Sequence, residues 1–279
     1  IADSAKAAMD AGETFYTWQR GIPELRQALA DYHTRHYGIE NDHERFFVTG
    51  SGMQAIQLSL QALAGAGDEV VMTTPCWPNI HSATQVAGGK PVHVELDFSQ
   101  NGWSLDTEKL FAAVTDRTRA LFINTPANPT GWVAPLETLR EILEFARERG
   151  IWIVADEVYH RFVYDRDIAP SFYELIEPDD RVIFVNTFSK NWAMTGWRAG
   201  WISAPPEIGQ VLENLIQYST SGVAPFTQRA AVTGLNEGEP FIAIQKERAL
   251  RNRDVMCDAL KATGRVELAR PAGAFYLFF

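Results

Sequence analysis

Cysteine, basic charge and long apolar runs are all scarce in this sequence, and each shortage excludes a class of protein. The 279 residues include only two cysteines, Cys76 and Cys257, far apart, which excludes a disulfide framework and a cysteine metal knuckle. The net charge of −10 provides no basic face for the backbone of a nucleic acid. No apolar run approaches the length of a membrane span. We therefore expect a cytoplasmic protein that binds neither nucleic acid nor membrane.

What the sequence does contain is the composition of a globular protein, with 46% hydrophobic and 22% charged residues. Its six histidines lack the spacing of metal ligands, so we expect no metal site. The chain begins inside a predicted helix (residues 1–11) and stops inside an apolar run (274–279) that has the pattern of a core strand. We expect the sequence to be a portion of a longer protein.

Short apolar runs alternate with amphipathic helical patterns along most of the chain. The predicted strands are residues 46–49, 69–73, 91–96, 119–123, 151–155, 181–185 and 199–203. The predicted helices are residues 53–63, a segment ending at 87, and residues 136–149, 206–217 and 241–262. Strands that are apolar on both faces and separated by helices predict an α/β fold, with a mostly parallel sheet between two helical layers.

A polar break at residues 234–240 predicts a domain boundary. We expect a large domain at residues 13–236. Residues 237–279, with residues 1–12, would form part of a smaller α/β domain. In a parallel sheet, ligands bind beyond the carboxyl ends of the strands, where the connecting loops converge. The candidate residues for chemistry follow such strand ends.

Lys190 follows the apolar strand 182–185, where an ammonium group is costly to desolvate. Its pKa should fall toward the neutral, nucleophilic amine, and the nearby cation Arg198 should lower that pKa further. An amine in this setting is suited to form an imine with an aldehyde. Taken alone, Lys190 also fits the commoner description of a surface lysine paired with a carboxylate.

Two further strand ends carry groups that could bind an aromatic ring with a phosphate. Asp156 ends the strand 151–155, and its carboxylate could hold a pyridine nitrogen protonated, although it could also cap a following helix. The turn Gly50-Ser51-Gly52-Met53 lies between a strand and a helix. Its backbone N–H groups could bind a phosphate at the helix N-terminus, while a plain turn would favour the same residues.

Four more residues complete the candidate site. Trp77 could stack on a flat ring, although core packing is the commoner role of a tryptophan. Asn128 could donate to a ligand oxygen, Tyr159 could reach a ring hydroxyl, and Arg198 could bind phosphate oxygens through two donors. Each residue has an ordinary structural explanation. Together they describe an anion site, a stacking residue, a carboxylate and a reactive lysine.

At this point the sequence resembles the class I/II aminotransferases, the fold-type I pyridoxal 5'-phosphate (PLP) enzymes of the aspartate aminotransferase superfamily. The resemblance runs in order through essentially the whole chain. It rests on Gly21-Ile22-Pro23-Glu24-Leu25-Arg26, the Gly-Ser-Gly turn, Asn128-Pro129-Thr130-Gly131, Asp156-Glu157-Val158-Tyr159, Ser189-Lys190 through Arg198, and Pro271-Ala272-Gly273-Ala274-Phe275-Tyr276.

The resemblance implies a fold, an activity and a role for each residue. It implies a PLP-dependent transferase-like fold and an aminotransferase acting on an amino acid and a 2-oxo acid. Lys190 would be the internal aldimine lysine and the base that moves a proton. The remaining implied roles are Asp156 at the pyridine nitrogen, Tyr159 and Asn128 at the ring hydroxyl, Trp77 stacked on the ring, and Ser51, Gly52, Met53, Thr187 and Arg198 at the phosphate.

The resemblance also implies a homodimer with shared active sites, because Tyr16 would reach the phosphate of the neighbouring subunit. The family's arginine for the substrate α-carboxylate would lie beyond Phe279, and its amino-terminal arm would precede Ile1. The motifs leave open a C–S β-lyase, a decarboxylating or cyclising PLP enzyme, and a PLP-binding module of a transcription regulator. A doubly wound domain without a cofactor is the remaining alternative.

Overall fold

The computed structural model describes all 279 residues and has a seven-stranded sheet at its centre. The spatial order of the strands is β1-β9-β8-β7-β6-β2-β3, and a separate hairpin pairs β4 with β5. The strands are β1 (Phe46–Thr49), β2 (Glu69–Thr74), β3 (Lys90–Glu95), β4 (Asp97–Ser99), β5 (Gly102–Ser104), β6 (Thr118–Asn124), β7 (Trp152–Asp156), β8 (Val182–Thr187) and β9 (Gly200–Ser203).

Ten α-helices accompany the strands, with short 3₁₀ turns between them. The helices are α1 (Ala2–Asp10), α2 (Pro23–Tyr37), α3 (Gly52–Leu63), α4 (Asn79–Val86), α5 (Thr107–Ala112), α6 (Leu136–Arg149), α7 (Phe188–Asn191), α8 (Gly209–Ser219), α9 (Pro225–Glu237) and α10 (Glu239–Ala262). None of them combines the length and the apolar character that a membrane crossing requires.

Helices cover both faces of the sheet, which confirms the predicted three-layer α/β/α class. Val70 and Met72 of β2 pack on one face with α3, α4 and α8, whereas Val71 points to the opposite face with α6. That opposite face continues under α2 and α9 toward β1 and β9. Because successive side chains of a strand alternate between faces, double coverage explains why the strands are apolar throughout.

The sheet is mostly parallel, as predicted, except at β9. This strand pairs antiparallel with β8 on one side and with β1 on the other. Its first residue, Gly200, lies opposite Thr187, the last residue of β8. The segment 188–199 therefore leaves and re-enters the sheet at one edge, the same edge at which β6, β7 and β8 end.

One expectation differs from the structure. The predicted core strand at residues 274–279 is wrong. This segment has no strand, its nearest regular pairing is an isolated bridge between Val163 and Gly273, and Phe279 is exposed. An apolar run forms a strand only where a neighbour offers backbone partners. The polar break at 234–240 is a junction of two helices, because α9 ends at Glu237 and α10 begins at Glu239.

Candidate active site

Three adjacent strands end at one edge of the sheet with polar residues. Asn124 ends β6, Asp156 ends β7 directly opposite it, and Thr187 ends β8. A cavity of about 220 Å³ opens at this edge. It is lined by Ser51, Gly52, Met53, Ile56, Trp77, Asn124, Asn128, Asp156, Val158, Tyr159, Thr187, Ser189, Lys190, Arg198 and Tyr276.

Asp156 is a buried carboxyl group without a cationic partner in contact. It is 4% exposed, and its one hydrogen bond comes from the Val158 N–H at 3.4 Å. Burial raises the pKa of Asp156 to about 7, against the opposing effects of that hydrogen bond and of the Lys190 charge. The cavity wall therefore holds a carboxyl group whose charged form is costly until a positively charged donor meets it.

Lys190 lies in α7, the short helix that follows β8. Its half-buried amine lies 5.6 Å from the centre of the Tyr159 ring. Burial lowers the pKa of Lys190, and the Arg198 charge lowers it further, while Asp156 acts in the opposite direction. These are the two causes that the sequence predicts. Their result is an amine that reaches its neutral, nucleophilic form more readily than a solvated lysine.

Tyr159 and Tyr276 share a short hydrogen bond between their hydroxyl oxygens, at 2.6 Å. Burial, followed by the bond with Tyr276, raises the pKa of Tyr159, while a bond from Asn128 has the opposite effect. The Tyr159 phenol therefore stays protonated. Asn128 is itself held by its backbone N–H, which donates to the side chain of Asn124 at 2.8 Å.

The N-terminus of α3 forms the opposite wall of the cavity. Ser51 caps the helix, and its hydroxyl oxygen accepts from the Gln54 N–H at 3.0 Å. The hydroxyl hydrogen of Ser51 stays free for an acceptor, and the first N–H groups of α3 have no partner within the helix. Partial positive charge at a helix N-terminus favours an anion here.

Arg198 adds a full positive charge to the same wall. Its backbone is left-handed, with φ 54°, and one guanidinium nitrogen donates to the Thr195 carbonyl at 2.7 Å. The guanidinium is exposed and forms no ion pair within the protein, so it retains donors for a ligand anion. Thr187 is tied to Ser189 and to the Ala199 carbonyl. Those bonds fix the base of the segment that carries Lys190 and Arg198.

A second cavity of about 530 Å³ adjoins the first and shares Ser189, Lys190 and Tyr276 with it. Its other walls come from α10, from residues 271–277, from Phe162 and Tyr164, and from Ala193 and Thr195. Arg253 of α10 stacks on the Tyr164 ring at 4.5 Å and donates to the Pro271 carbonyl. The amine of Lys190 is therefore accessible from two sides.

The structure brings all of the predicted site residues except Tyr16 to the first cavity. Tyr16 is 91% exposed and lies in a separate surface depression with residues 220–225. Sequence reasoning missed Ile56, Asn124, Val158, Ser189 and Tyr276 as lining residues. Asn124 had a usable signal, because it is the polar last residue of a strand that neighbours the Asp156 strand.

Comparisons with known proteins identify the family and the fold. The family model for aminotransferase class I and II matches residues 1–279. A probable aspartate aminotransferase of Methanocaldococcus jannaschii is 34% identical over 284 residues, covering 100% of this chain and 73% of that protein. The aspartate aminotransferase of Pyrococcus horikoshii is 33% identical over 281 residues, covering 100% of this chain and 71% of its own length. A solved single mutant of the Thermus thermophilus aspartate aminotransferase superposes with a TM-score of 0.93 at 34% identity, covering 99% of this chain and 72% of that one.

Proposed function

The chain belongs to the class I and II aminotransferases, and on this premise we propose that Lys190 is the residue to which its PLP attaches. The protein is a PLP-dependent aminotransferase that moves an amino group between an amino acid and a 2-oxo acid. One observation carries the residue assignment. The same cavity is lined by Lys190, whose pKa is lowered, and by Asp156, a buried carboxyl group with no cation in contact.

The residues at the Asp156 end fit the ring of PLP. Asp156 accepts one long hydrogen bond and has the remaining lone pairs of a carboxylate free. A protonated pyridine nitrogen offers both a positive charge and an N–H donor, which are the features that this buried group lacks. Trp77 and Val158 also line this cavity, and we assign them to the two faces of the flat ring.

The residues at the other end fit a phosphate. Ser51 caps α3, and Gly52 and Met53 begin it. Gly52 leaves little room for a side chain, because a Cβ atom there would lie 3.2 Å from the Thr187 Cβ. The absent side chain lets the N–H groups approach an anion directly. We assign the phosphate to these N–H groups, to the hydroxyl of Ser51 and to the guanidinium of Arg198. The Thr187 hydroxyl lies beside them, but its one hydrogen is directed to Ser189 and the Ala199 carbonyl, so it would have to turn from those acceptors to donate to the phosphate.

PLP, when bound, supplies an aldehyde that captures amines and a ring that withdraws electrons from the substrate's Cα. The protein's own groups control the proton. Lys190 Nζ has a lowered pKa, and we assign it to take the proton from the substrate's Cα and to return one. Tyr159 and Asn128 are assigned to the ring hydroxyl, where the protonated phenol and the amide each provide a donor.

Borohydride reduction with added PLP, followed by mass spectrometry of the peptides, tests the assignment. We expect the label on Lys190 and its disappearance in Lys190→Ala. Lys246 is the matched control, because burial also lowers its pKa although it lines neither cavity. Lys246→Ala should therefore be labelled as the wild type is. A wild-type protein that binds PLP without a label on Lys190 would overturn the assignment.

We infer that the protein works as a homodimer in which Tyr16 serves the partner's site. Support comes from an exposed aromatic surface formed by Phe15, Tyr16, Trp18 and Tyr218, each more than 60% exposed. Exposed aromatic side chains at this density are typical of an interface. Mixing Tyr16→Ala subunits with Lys190→Ala subunits should restore one intact site per mixed dimer. No restoration, or a monomer in ultracentrifugation, would reject the shared site.

We also propose an amino donor and a cellular compartment. Relatives named as aspartate aminotransferases support aspartate as the amino donor, to be tested by conversion of bound PLP to its amine form with aspartate against phenylalanine. The two free cysteines support a reducing, cytoplasmic compartment.

We retain a large domain at 13–236 and a smaller unit at 237–279 with 1–12, to be tested by limited proteolysis. Since Ala5 and Ala8 of α1 pack in one core cluster with α2 and α9 of the large domain, we expect the first cleavage near residue 237 and none between residues 12 and 13.

A further inference from the structure

His160, which follows Tyr159, is a buried histidine with a single allowed tautomer. It is 1% exposed, and its Nδ1 lies 2.9 Å from the Glu157 carbonyl oxygen. A carbonyl oxygen can only accept, so the ring proton resides on Nδ1. Nε2 is then an acceptor, and it accepts a hydrogen bond from the Tyr32 hydroxyl at 2.8 Å. Burial lowers the pKa of His160 to about 3, so this neutral arrangement holds across the physiological range.

The hydrogen bonds continue from Tyr32 to the start of α10. Arg161 donates to the Tyr32 hydroxyl oxygen at 3.5 Å and forms a bidentate pair with Glu239, with both bonds at 2.6 Å. Glu239 is the first residue of α10. Each donor in this series of hydrogen bonds has an acceptor, so the imidazole is held at both of its ring nitrogens.

The imidazole also touches the segment that carries the reactive lysine. The side-chain amide nitrogen of Asn191 lies 3.3 Å from Nδ1 and 3.4 Å from Nε2 of His160. Asn191 is fully buried and directly follows Lys190. The next residue, Trp192, donates to the Gly234 carbonyl in α9 at 2.7 Å. Because both ring nitrogens of His160 already have partners, the Asn191 amide packs against the ring without a hydrogen bond of its own. The base of the lysine side chain is thus supported by one packing contact and one hydrogen bond from consecutive residues to other elements.

We propose that His160 is a positioning residue for Lys190, acting through Asn191. The helix α7 has only four residues and cannot by itself fix the direction of a long, flexible lysine side chain. Contact of the imidazole with Asn191 sets that direction relative to the turn 156–159, because the same imidazole is bonded to the Glu157 carbonyl. The proposal rests on the assigned attachment of PLP to Lys190.

The test measures the first-order rate of covalent PLP attachment at saturating PLP, followed by visible absorbance and verified by borohydride labelling. His160→Gln should slow attachment about 10-fold or more, because misplacing a reacting group by an ångström is that costly. His33 is the matched control. It is equally buried and donates no bond to the Lys190 segment, since its ring bonds to Trp201. His33→Gln should lower thermal stability and leave the attachment rate unchanged.

A double-mutant cycle tests the route through Asn191. Asn191→Ala should slow attachment, and the double variant His160→Gln with Asn191→Ala should be no slower than the slower single variant. Fully additive effects would overturn the route. If His160→Gln does not fold, Tyr32→Phe keeps the ring volume, removes the donor to Nε2 and should slow attachment too.

The outcomes separate this inference from the assignment of Lys190. A wild-type protein without a label on Lys190 would overturn both the attachment of PLP to Lys190 and the positioning role of His160. A wild type labelled on Lys190, with His160→Gln and Tyr32→Phe attaching PLP at the wild-type rate, removes only the role of His160. A His33→Gln variant slowed as much as His160→Gln would also overturn it, since loosening of the core would then explain both results.

Discussion

A Cβ atom on Gly200 would lie 2.8 Å from the backbone nitrogen of Gly52. It would lie equally close to the Asn186 carbonyl oxygen and to the Ser51 carbonyl carbon. The N-terminus of α3 is therefore seated directly on the backbone of β9, with no side chain between them. This contact sets the distance between the anion-binding wall of the cavity and the strand ends that carry Asp156 and Lys190.

Replacing Gly200 by alanine should push α3 away from the sheet. Because the clashing atoms belong to the backbone and cannot rotate away, we expect a loss of about 1–3 kcal/mol in the free energy of unfolding. Affinity for PLP should fall as well. Urea unfolding and PLP titration measure the two effects. Gly196→Ala is the control, since a Cβ atom there meets nothing within 4 Å. Equal stability of the two variants would contradict the role of this contact.

Asp156→Asn should make the PLP-free protein more stable above neutral pH. The pKa of Asp156 is raised from 3.8 to about 7, so the folded state binds this proton more tightly than the unfolded state does. The resulting stabilisation is complete below the unfolded pKa and is lost as the pH rises through about 7. Above that pH the variant escapes a cost of roughly 4 kcal/mol, and near pH 3 the two proteins should converge.

Urea unfolding across this pH range, without and with PLP, shows which of the two proteins is the more stable at each pH. PLP should reverse the order, because a protonated ring nitrogen would stabilise the carboxylate and has no such partner in the asparagine variant. The exposed carboxylate Asp179 provides the control, and Asp179→Asn should shift neither curve. A wild type whose PLP-free stability does not fall between pH values of about 4 and 8 would refute the prediction.

Arg198→Gln should raise the pKa of Lys190, because it removes the nearby cation that lowers it. At a given pH a smaller fraction of the amine is then neutral, so the pH midpoint for attachment of an aldehyde should move upward. Pyridoxal, which lacks the phosphate, is the suitable probe, since its rate does not depend on the proposed phosphate contact of Arg198. Arg140→Gln, at an exposed position on α6, should leave the midpoint unchanged. A downward shift in the Arg198 variant would be inconsistent with this electrostatic coupling.

Tyr276→Phe should lower the pKa of Tyr159. The hydroxyl of Tyr276 is the second cause, after burial, of the raised value, and phenylalanine removes it with little change in shape. Carbon-13 NMR of ring-labelled tyrosine, recorded up to the alkaline limit of folding, should show ionisation of Tyr159 beginning at lower pH in the variant. Tyr164→Phe is the control, because Tyr164 donates to the Ala274 carbonyl and lines only the second cavity. An unchanged Tyr159 titration in Tyr276→Phe would mean that the two hydroxyls are not coupled.

Much of the sheet is predictable from the sequence because its strands are apolar on both faces. The predicted strand 46–49 coincides with β1 and the predicted helix 136–149 with α6, while the boundaries of the other predicted elements that the structure contains differ by one to three residues. The cavity wall is predictable for the same reason, since polar residues at the ends of apolar runs must meet at one edge. Asp156, Thr187 and Lys190 meet there.

Other features depend on tertiary context. The helix α2 has a weak apolar pattern because its buried face includes Arg26 and His33, which only the folded surroundings can satisfy. The direction of β9 leaves no trace in its composition. Tyr276 reaches Tyr159 from a segment without regular structure, at a sequence separation of 117 residues, so no local pattern indicates the contact.

The reversed direction of β9 has a mechanical consequence for the segment 188–199. Thr187 and Gly200 pair at its base, and Lys190 and Arg198 lie near its two ends. If Lys190 and Arg198 hold PLP as proposed, a ligand bonded covalently to Lys190 and bound through its phosphate by Arg198 would close this segment into a ring. The phosphate would then be the second end of a cross-link. Its binding would order the backbone that carries the amine, and its loss would loosen the lysine.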